Sequence, residues 1–178
     1  TRNCFSINKK IISKIEKCNI PIVLVDGEYH EFPLRSKYDL VGIDNFRAGY
    51  VSALHFIEQG AQRVDFLCQS FMAQTVPQRI KGYRQALLDS GITPHKTWVH
   101  DIRSFSSKEL LPLIQNGAQN IICANDNTAM KFIKALSDAD IKIPKDVRLS
   151  GFDDIEAARY FPVPLTTVAQ PCKDLAEV

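Results

Sequence analysis

Short apolar runs alternate with segments of helical periodicity along most of the chain, and this alternation limits the possible folds more than any other feature. The predicted strands are rich in β-branched residues, and most are apolar on both faces: IVLV (22–25), LVGI (40–43), VDFL (64–67), TWV (97–99), IICA (121–124) and VRLSG (147–151). Between them, apolar residues recur at helical spacings over 46–57, 80–87 and 129–136. Strands of this kind, separated by helices, are typical of parallel sheets that are covered on both sides. The sequence therefore predicts an α/β fold with a doubly wound parallel sheet.

Two further segments have less regular patterns. A helix is predicted over 106–116, where Ser106 and Glu109 have the spacing of a capping box. Because Pro112 removes a backbone hydrogen bond inside this segment, we expect the helix to be short or kinked. The segment 26–38 is polar, has no periodicity and contains Pro33, so it is predicted to be a loop.

Composition excludes several classes of protein. The 178 residues, 45% of them hydrophobic, suit one packed domain or two small lobes rather than a disordered chain. The net charge of +2 does not indicate nucleic-acid or membrane binding. Residues 1–20 carry five of the 22 basic groups against one acid, which favours the exposed face of a helix, with a phosphate contact as the alternative.

The cysteines and the apolar runs bear on the compartment. The five cysteines show no CxxC spacing, so neither a zinc site nor a disulfide framework is indicated, and a reducing compartment fits best. No apolar run approaches the roughly 18 residues of a membrane span, and the first residues lack a secretory pattern. We therefore expect a soluble protein.

Polar residues follow four of the predicted strands. In open parallel sheets, ligands bind beyond the carboxyl ends of the strands, so these residues are candidates for a binding site. They are Asp26, Asp44 with Asn45, Asn125 with Asp126, and Asp153 with Asp154. Helix capping accounts for one residue of a pair, and we assign this role to Asp126 and Asp154. The remaining Asn125 and Asp153 are expected to face a cleft.

Arg79 and Phe105 each allow two interpretations. Arg79 precedes the apolar face of the helix over 80–87, so it is either solvated or binds a hydroxylated or anionic ligand. Phe105 is flanked by serines after a predicted strand, so it either packs in the core or stacks on a ligand ring.

Enzyme motifs are mostly missing. The chain has no GxGxxG after a strand, no GxxxxGK[ST], no GxSxG and no HExxH. The histidines lie in different segments without ligand spacing and are expected to be structural or exposed; they are His30, His55, His95 and His100. The carboxylates alone leave open an acid–base pair or a Mg²⁺ site. Because no nucleophile accompanies them, we predict no catalytic residue, no metal and no cofactor.

Five segments together resemble the effector-binding domain of LacI/GalR-type bacterial transcription regulators. They occur in the order and spacing of that family over residues 20–178: DNFRAGYVSALHFIEQGAQRVDFL, RIKGYRQALLDSGI, IICANDNTAMKFIKAL, IPKDVRLSGFDD and VPLTTVAQP. The resemblance implies a type I periplasmic-binding-protein-like fold, with a ligand held between two lobes. Residues 1–43 would be a remnant of an incomplete first lobe, 44–168 the second lobe, and 169–178 the return toward the first lobe.

The resemblance also implies a set of ligand contacts. Asp26 would come from the first lobe, and the second lobe would supply Thr75, Arg79, Phe105, Asn125 and Asp153. Gln170, near the hinge strand, is a further match. In this arrangement Asp153 faces the ligand, Asp154 caps the next helix and PLTTV returns the chain across the hinge. Pro171 and Cys172 stand near a position that is often aromatic in the family.

The function implied is ligand sensing. A cytoplasmic repressor of this kind binds a small sugar-like effector, acts as a homodimer away from membranes, and contacts DNA through an N-terminal head that this chain lacks. Two alternatives remain at this point: a sugar-binding protein of a transporter, and a Mg²⁺-dependent α/β hydrolase.

Overall fold

The computed structural model of the chain describes residues 9–18, 20–28, 30, 34–69, 73 and 75–177. Cys4 and Pro33 lie outside these ranges. The helices and strands follow one another in the order α1 (Lys9–Lys17), β1 (Val23–Val25), β2 (Asp39–Val41), α2 (Asn45–Glu58), β3 (Asp65–Gln69), α3 (Val76–Asp89), β4 (Val99–Ile102), α4 (Ser107–Gln115), β5 (Asn120–Cys123), α5 (Asp126–Asp138), β6 (Arg148–Asp153), β7 (Thr166–Ala169) and α6 (Cys172–Glu177). Two short 3-10 helices cover Lys96–Trp98 and Glu156–Tyr160.

The strands form two parallel sheets. Strands β1 and β2 pair with each other, with Leu24 opposite Leu40. The larger sheet has the order β4-β3-β5-β6-β7, and every neighbouring pair in it is parallel. The predicted parallel α/β fold is therefore confirmed.

Side chains alternate between the two faces of the larger sheet. In β3, Phe66 and Cys68 pack in a cluster with α2 and α3, whereas Leu67 packs in a second cluster with α4 and α5. In β5, Ile122 belongs to the first cluster and Ile121 to the second. Because both faces are buried, nearly every position of these strands has to be apolar.

Helices α2 and α3 approach each other backbone to backbone. A Cβ atom on Gly49 would overlap the carbonyl group of Arg79, and one on Gly82 would overlap the carbonyl group of Phe46. Only glycine fits at such close approaches. The contact places the first turn of α2, which includes Asn45, beside the first turn of α3.

The beginning of the chain agrees with its prediction. The described part of the basic segment contains α1, with Lys14 and Lys17 exposed, and Arg2 lies outside the described residues. The described part of 26–38 contains bends but no helix or strand, as predicted for a loop.

Two local predictions were wrong. The segment TWV starts in the 3-10 helix Lys96–Trp98, and β4 begins only at its last residue, Val99. The short helix α4 is present and contains Pro112, but the capping box is absent because the Ser106 side chain makes no capping hydrogen bond. The Glu109 carboxylate instead accepts hydrogen bonds from two backbone amides of the preceding loop, at 3.1 and 2.9 Å.

Strand β7 was not among the predicted strands. Its residues, which include most of PLTTV, pair with β6, so that Ser150 lies opposite Thr166 and Asp153 opposite Ala169. This segment therefore belongs to the five-stranded sheet. The predicted lobe boundary after residue 168 falls one residue before the end of β7.

Candidate ligand-binding site

A group of polar side chains lies beyond the carboxyl ends of strands from both sheets. Asp26 follows β1, Asn125 follows β5, Asp153 ends β6 and Gln170 follows β7. Arg79, in the first turn of α3, joins this group. The carboxyl edge of a parallel sheet is the usual place for a ligand, since the strands and the helices that follow them diverge there.

Arg79 is the most buried member of the group, at 3% exposed. Its Nε donates to Asn45 Oδ1 at 2.8 Å, and its Nη1 donates to the carbonyl of Ala124 at 2.8 Å. The guanidinium carbon lies 4.5 Å from the centre of the Phe152 ring, a cation–π distance. The alternative of a solvated arginine is therefore wrong.

Three carboxylates act on the Arg79 guanidinium. Burial lowers the pKa of Arg79 below its ordinary value, and the charges of Asp153, Asp26 and Asp126 oppose this shift. Asp153 Oδ1 lies 3.8 Å from Arg79 Nη2, which makes an ion pair but is too long for a hydrogen bond. With Asp126 included, one cation lies among three acids, so the net charge around this guanidinium is negative.

Asp26 carries an unused hydrogen-bond acceptor. Its Oδ1 is buried and has no hydrogen-bond partner among the described residues. A buried acceptor without a donor costs about 1–3 kcal/mol, so such a group is expected to have a partner in the working protein. The residue has φ 62°, a left-handed conformation that is uncommon outside glycine.

Asp153, the last residue of β6, and Asp154, which follows it, also have positive φ values, 107° and 51°. Asp153 Oδ1 accepts a hydrogen bond from Gln170 Nε2 at 2.8 Å. The contact joins the ends of the neighbouring strands β6 and β7. Strained backbone of this kind is retained where the surrounding structure fixes it, often at binding sites.

The capping role predicted for Asp126 belongs to Asn125, and Asp126 has a different, buried role. Asn125 is the N-cap of α5, and its Oδ1 accepts a hydrogen bond from the amide of Thr128 at 2.8 Å. Asp126 is 0% exposed and accepts hydrogen bonds from Thr167 Oγ1 at 2.7 Å and from the Ile155 amide at 3.0 Å. It therefore ties α5 to β7 and to the turn after β6.

Burial dominates the ionisation of Asp126. It raises the pKa of this carboxyl above its usual value, the bonds from Thr167 and Ile155 lower it, and the charges of Asp153 and Asp154 raise it further. The net shift is upward. Proton uptake at this position is therefore easier in the folded protein than in the unfolded chain.

Asp154 does not cap the following helix. The N-cap position of the 3-10 helix is Ile155, without a side-chain capping bond. Asp154 Oδ2 instead lies 3.4 Å from Arg159 Nη2. The prediction of a capping role is wrong because the helix begins one residue later than the sequence pattern indicated.

Thr75 lies one helical turn before Arg79. It is buried at the N-cap position of α3, its side chain makes no capping bond, and its carbonyl accepts the amide of Arg79 at 3.2 Å. A residue four positions before Arg79 lies on the same face of the helix.

Phe105 lies apart from the Arg79 group. It packs against the cluster of α4 and α5, and Lys131 Nζ lies 5.7 Å from its ring centre. It borders an open cavity of about 460 Å³ on the outer side of α5, lined also by Met130, Lys131, Lys134, Ala135 and Asp138. That cavity shares no lining residue with the Arg79 group, so the structure favours packing for Phe105.

Two residues that contact Arg79 were not in the predicted contact set: Asn45, which was a strand-end candidate without an assigned role, and Phe152. A sequence signal was present for Asn45, since Asp44 and Asn45 form an adjacent pair at a helix start. Asp44 caps α2 by accepting the Arg47 amide at 2.9 Å, which leaves Asn45 for another role. For Phe152, the apolar strand pattern gave no reason to distinguish it from other core residues.

The histidines are structural or exposed, as predicted. His100 Nε2 lies 2.8 Å from the buried Asp65 Oδ1, and His95 caps the first 3-10 helix. His55 contacts Gln59, and His30 is exposed. Within the described ranges, no group of three or more His, Cys, Asp or Glu side chains is arranged to hold a metal ion. No helix in that part of the chain is long and apolar enough to cross a membrane.

The doubly wound sheet, the second small sheet and the polar group at their carboxyl ends define a periplasmic-binding-protein-like class of protein. In agreement, the family model of the periplasmic binding protein-like domain matches residues 53–178. The chain belongs to this family, as an effector-binding domain of the LacI/GalR type.

The relatives support this placement. The chain is 30% identical over 182 residues to the HTH-type transcriptional repressor PurR of Photobacterium profundum, an alignment that covers 98% of this chain and 53% of the repressor. The chain thus spans about half the length of the curated relatives that it matches.

Solved structures show the same fold. A LacI family transcriptional regulator from Enterococcus faecium, with bound ribose, superposes with a TM-score of 0.78 at 26% identity, covering 98% of this chain and 65% of that one. The transcription regulator CcpA of Lactococcus lactis also gives a TM-score of 0.78, at 24% identity, over 95% of this chain and 61% of that one. The latter likeness shows the fold alone.

Proposed function

We propose that this chain is the ligand-sensing part of a bacterial transcriptional repressor. It binds a small sugar-like effector in the crevice between its two sheets, and binding changes the DNA affinity of a head that lies outside this chain. The observation that carries the proposal is the convergence of Asp26, Arg79 and Asp153, from segments far apart in the sequence, on one charged group.

The chemistry of the group suits hydroxyl groups. Asp26 offers a buried acceptor without a donor, and the Arg79 guanidinium offers donors in a fixed plane. Asp153 can use its second carboxylate oxygen while Gln170 holds the first. A sugar hydroxyl both donates and accepts, so one ligand can satisfy all three residues. Thr75 and Asn125 complete the proposed contact set, whereas Phe105, which was also predicted to contact the ligand, packs against α4 and α5.

The charge of the group favours an uncharged ligand over a phosphorylated one. One guanidinium lies among three carboxylates, so a phosphate would meet more repulsion than attraction in a partly buried site. The neighbour from Enterococcus faecium holds ribose, an uncharged sugar. We therefore propose an uncharged pentose or hexose as the effector.

The small sheet supports the division into lobes. Val23 and Val25 of β1 are 57% and 65% exposed, and Leu40 of β2 is 39% exposed. A two-stranded sheet with exposed apolar residues is not stable by itself, which fits a first lobe of which residues 1–43 are a part. Residues 44–168 would form the second lobe, and 169–178 would return to the first.

Regulation follows from differential affinity. If the effector binds better when the two lobes are close together, it shifts the equilibrium toward that state. In a homodimer this shift changes how two DNA-binding heads fit their half-sites. We propose a cytoplasmic homodimer that acts on DNA, away from membranes and without catalysis. The relatives named above are regulators, and this favours the sensing function over solute transport or hydrolysis.

The test is a thermal-shift screen of the protein against uncharged sugars and their phosphates, followed by calorimetry with the best sugar. A ligand at 100 times its Kd adds about 2.7 kcal/mol of stability. We expect Arg79→Ala and Asp153→Ala each to weaken binding by roughly 10- to 150-fold. Arg84→Ala, which removes an exposed arginine from the same helix, should bind as the wild type does. Full affinity in both site variants would refute this pocket.

A further inference from the structure

The orientation of Arg79 depends on a neighbour in another helix. We propose that Asn45 is a positioning residue, which fixes the Arg79 guanidinium in the ligand site and couples it to the segment that leaves the small sheet. The effect on ligand affinity rests on the function proposed above, whereas the effect on the guanidinium stands on geometry alone.

The hydrogen bonds of Asn45 define which way its amide group points. Its Oδ1 accepts from Arg79 Nε at 2.8 Å, and its Nδ2 donates to the carbonyl of Ile43 at 3.2 Å. A flipped amide would place a donor against Arg79 Nε and an acceptor against the Ile43 carbonyl, so both bonds would be lost. Only one orientation of Asn45 satisfies its two partners.

Asn45 also limits where the free end of the guanidinium can lie. With Nε held by Asn45 and Nη1 held by the Ala124 carbonyl, the planar group has no rotation left. Nη2 is then fixed at 3.8 Å from Asp153 Oδ1. Without Asn45, the Nε hydrogen would be buried without a partner, and the guanidinium would turn to find one.

A chain of contacts connects this arrangement to the small sheet. Residues 42–44 join β2 to α2, and Asn45 Nδ2 binds the Ile43 carbonyl within this connection. At the other end, the amide of Asp26 donates to the Val41 carbonyl at 2.8 Å. Asp26 and Arg79, one beside each sheet, are therefore linked through one short connecting segment, and a movement of that segment displaces Asn45 and the guanidinium with it.

The first test needs no ligand. In ¹⁵N-labelled protein, the Arg79 Nε–H resonance is assigned by its loss in Arg79→Lys, and its exchange with water is measured. We expect Asn45→Ala to speed this exchange by about 10-fold or more, whereas Asn45→Asp, which retains an acceptor, keeps it slow. The Nε–H of Arg63, which binds Asp65 at 2.8 Å, is the internal control and should not change.

The second test uses D-ribose, and the matched control is Asn127→Ala, since Asn127 is an exposed asparagine in the first turn of α5. We expect Asn45→Ala to weaken D-ribose binding by about 5- to 10-fold and to have no further effect in an Arg79→Ala background. Additive losses would show that Asn45 acts independently of Arg79 and would overturn the proposal.

The two tests separate the two proposals. The positioning role would be overturned, whatever the ligand, if the Arg79 Nε–H still exchanged slowly with water in Asn45→Ala. It would also be overturned if exchange at the Arg63 Nε–H accelerated equally, since that would indicate a general loosening of the fold. If wild-type protein shows no resonance shift with D-ribose, ribose is refuted as the effector, and the exchange of the Nε–H alone decides the role of Asn45.

Discussion

Asp126 is expected to be among the most costly polar residues to remove. Its side chain is 0% exposed and accepts two hydrogen bonds, from Thr167 at 2.7 Å and from the Ile155 amide at 3.0 Å. A hydrogen bond to a charged group contributes about 1.5–3 kcal/mol, and the cost of burying the charge offsets part of the sum. We expect Asp126→Ala to lower the free energy of unfolding by about 3 kcal/mol, because both donors lose their acceptor.

Asp126→Asn is the matched variant. Its carbonyl can accept the Ile155 amide while its NH₂ donates to the Thr167 oxygen, and no charge is buried. We expect a loss of about 1 kcal/mol or less at neutral pH. Urea denaturation followed by the fluorescence of Trp98, the single tryptophan, measures both variants.

The pH dependence gives a second, signed test of the same site. Because the folded pKa of Asp126 is raised above 3.8, the folded state binds the proton more tightly than the unfolded chain does. The stability of the wild type relative to Asp126→Asn should therefore rise as the pH falls from the raised pKa toward 3.8, and level off below it. The reasoning would be refuted if the free energy of unfolding of Asp126→Ala lay within about 0.5 kcal/mol of the wild-type value. It would also be refuted if the stability of the wild type relative to Asp126→Asn decreased as the pH falls.

Two further predictions concern packing and thiol chemistry. Gly49→Ala should lower the free energy of unfolding by about 3 kcal/mol or abolish folding, since its Cβ would overlap the Arg79 carbonyl. The control is Gly27→Ala, where a Cβ meets no atom within 4 Å. Thermal unfolding followed by circular dichroism should give this control the melting temperature of the wild type. Burial, and to a lesser extent the charge of Asp101, raises the pKa of the Cys68 thiol to about 12. Iodoacetamide at neutral pH should therefore leave native Cys68 unmodified and modify the exposed Cys18. Peptide mass spectrometry measures the modification of both residues. Equal modification of the two would contradict the buried placement of β3.

The sequence was sufficient to predict the fold because burial on both faces leaves a regular apolar pattern. Strand β7 escaped this pattern because it lies at the edge of the sheet and contains two threonines, Thr166 and Thr167, instead of a continuous apolar run. An edge strand has only one neighbour and less need of apolar residues on both faces. Its pairing with β6 is therefore visible only in three dimensions.

At the site, the sequence indicated which segments meet but not which side chain caps a helix and which is buried. The strand-end pattern predicted that Asp26, Asn125 and Asp153 lie near one another. It did not predict that Asp126 would be buried and Asn125 would cap, because that choice depends on Ile155 and Thr167, which lie 29 and 41 residues further along the chain. Local rules of capping cannot distinguish two adjacent residues that are both good caps.

The backbone contact at Gly49 and Gly82 divides the crevice into a fixed part and a variable part. Arg79 and Asn45 are carried by two helices that cannot shift relative to each other without separating their main chains. Asp26, Asp153 and Gln170 lie at strand ends, outside this contact between helices. Libraries that aim to turn this chain into a biosensor for another sugar should therefore vary Gln170 freely, restrict Asp26 and Asp153 to residues that accept a positive φ, and leave the paired helices untouched.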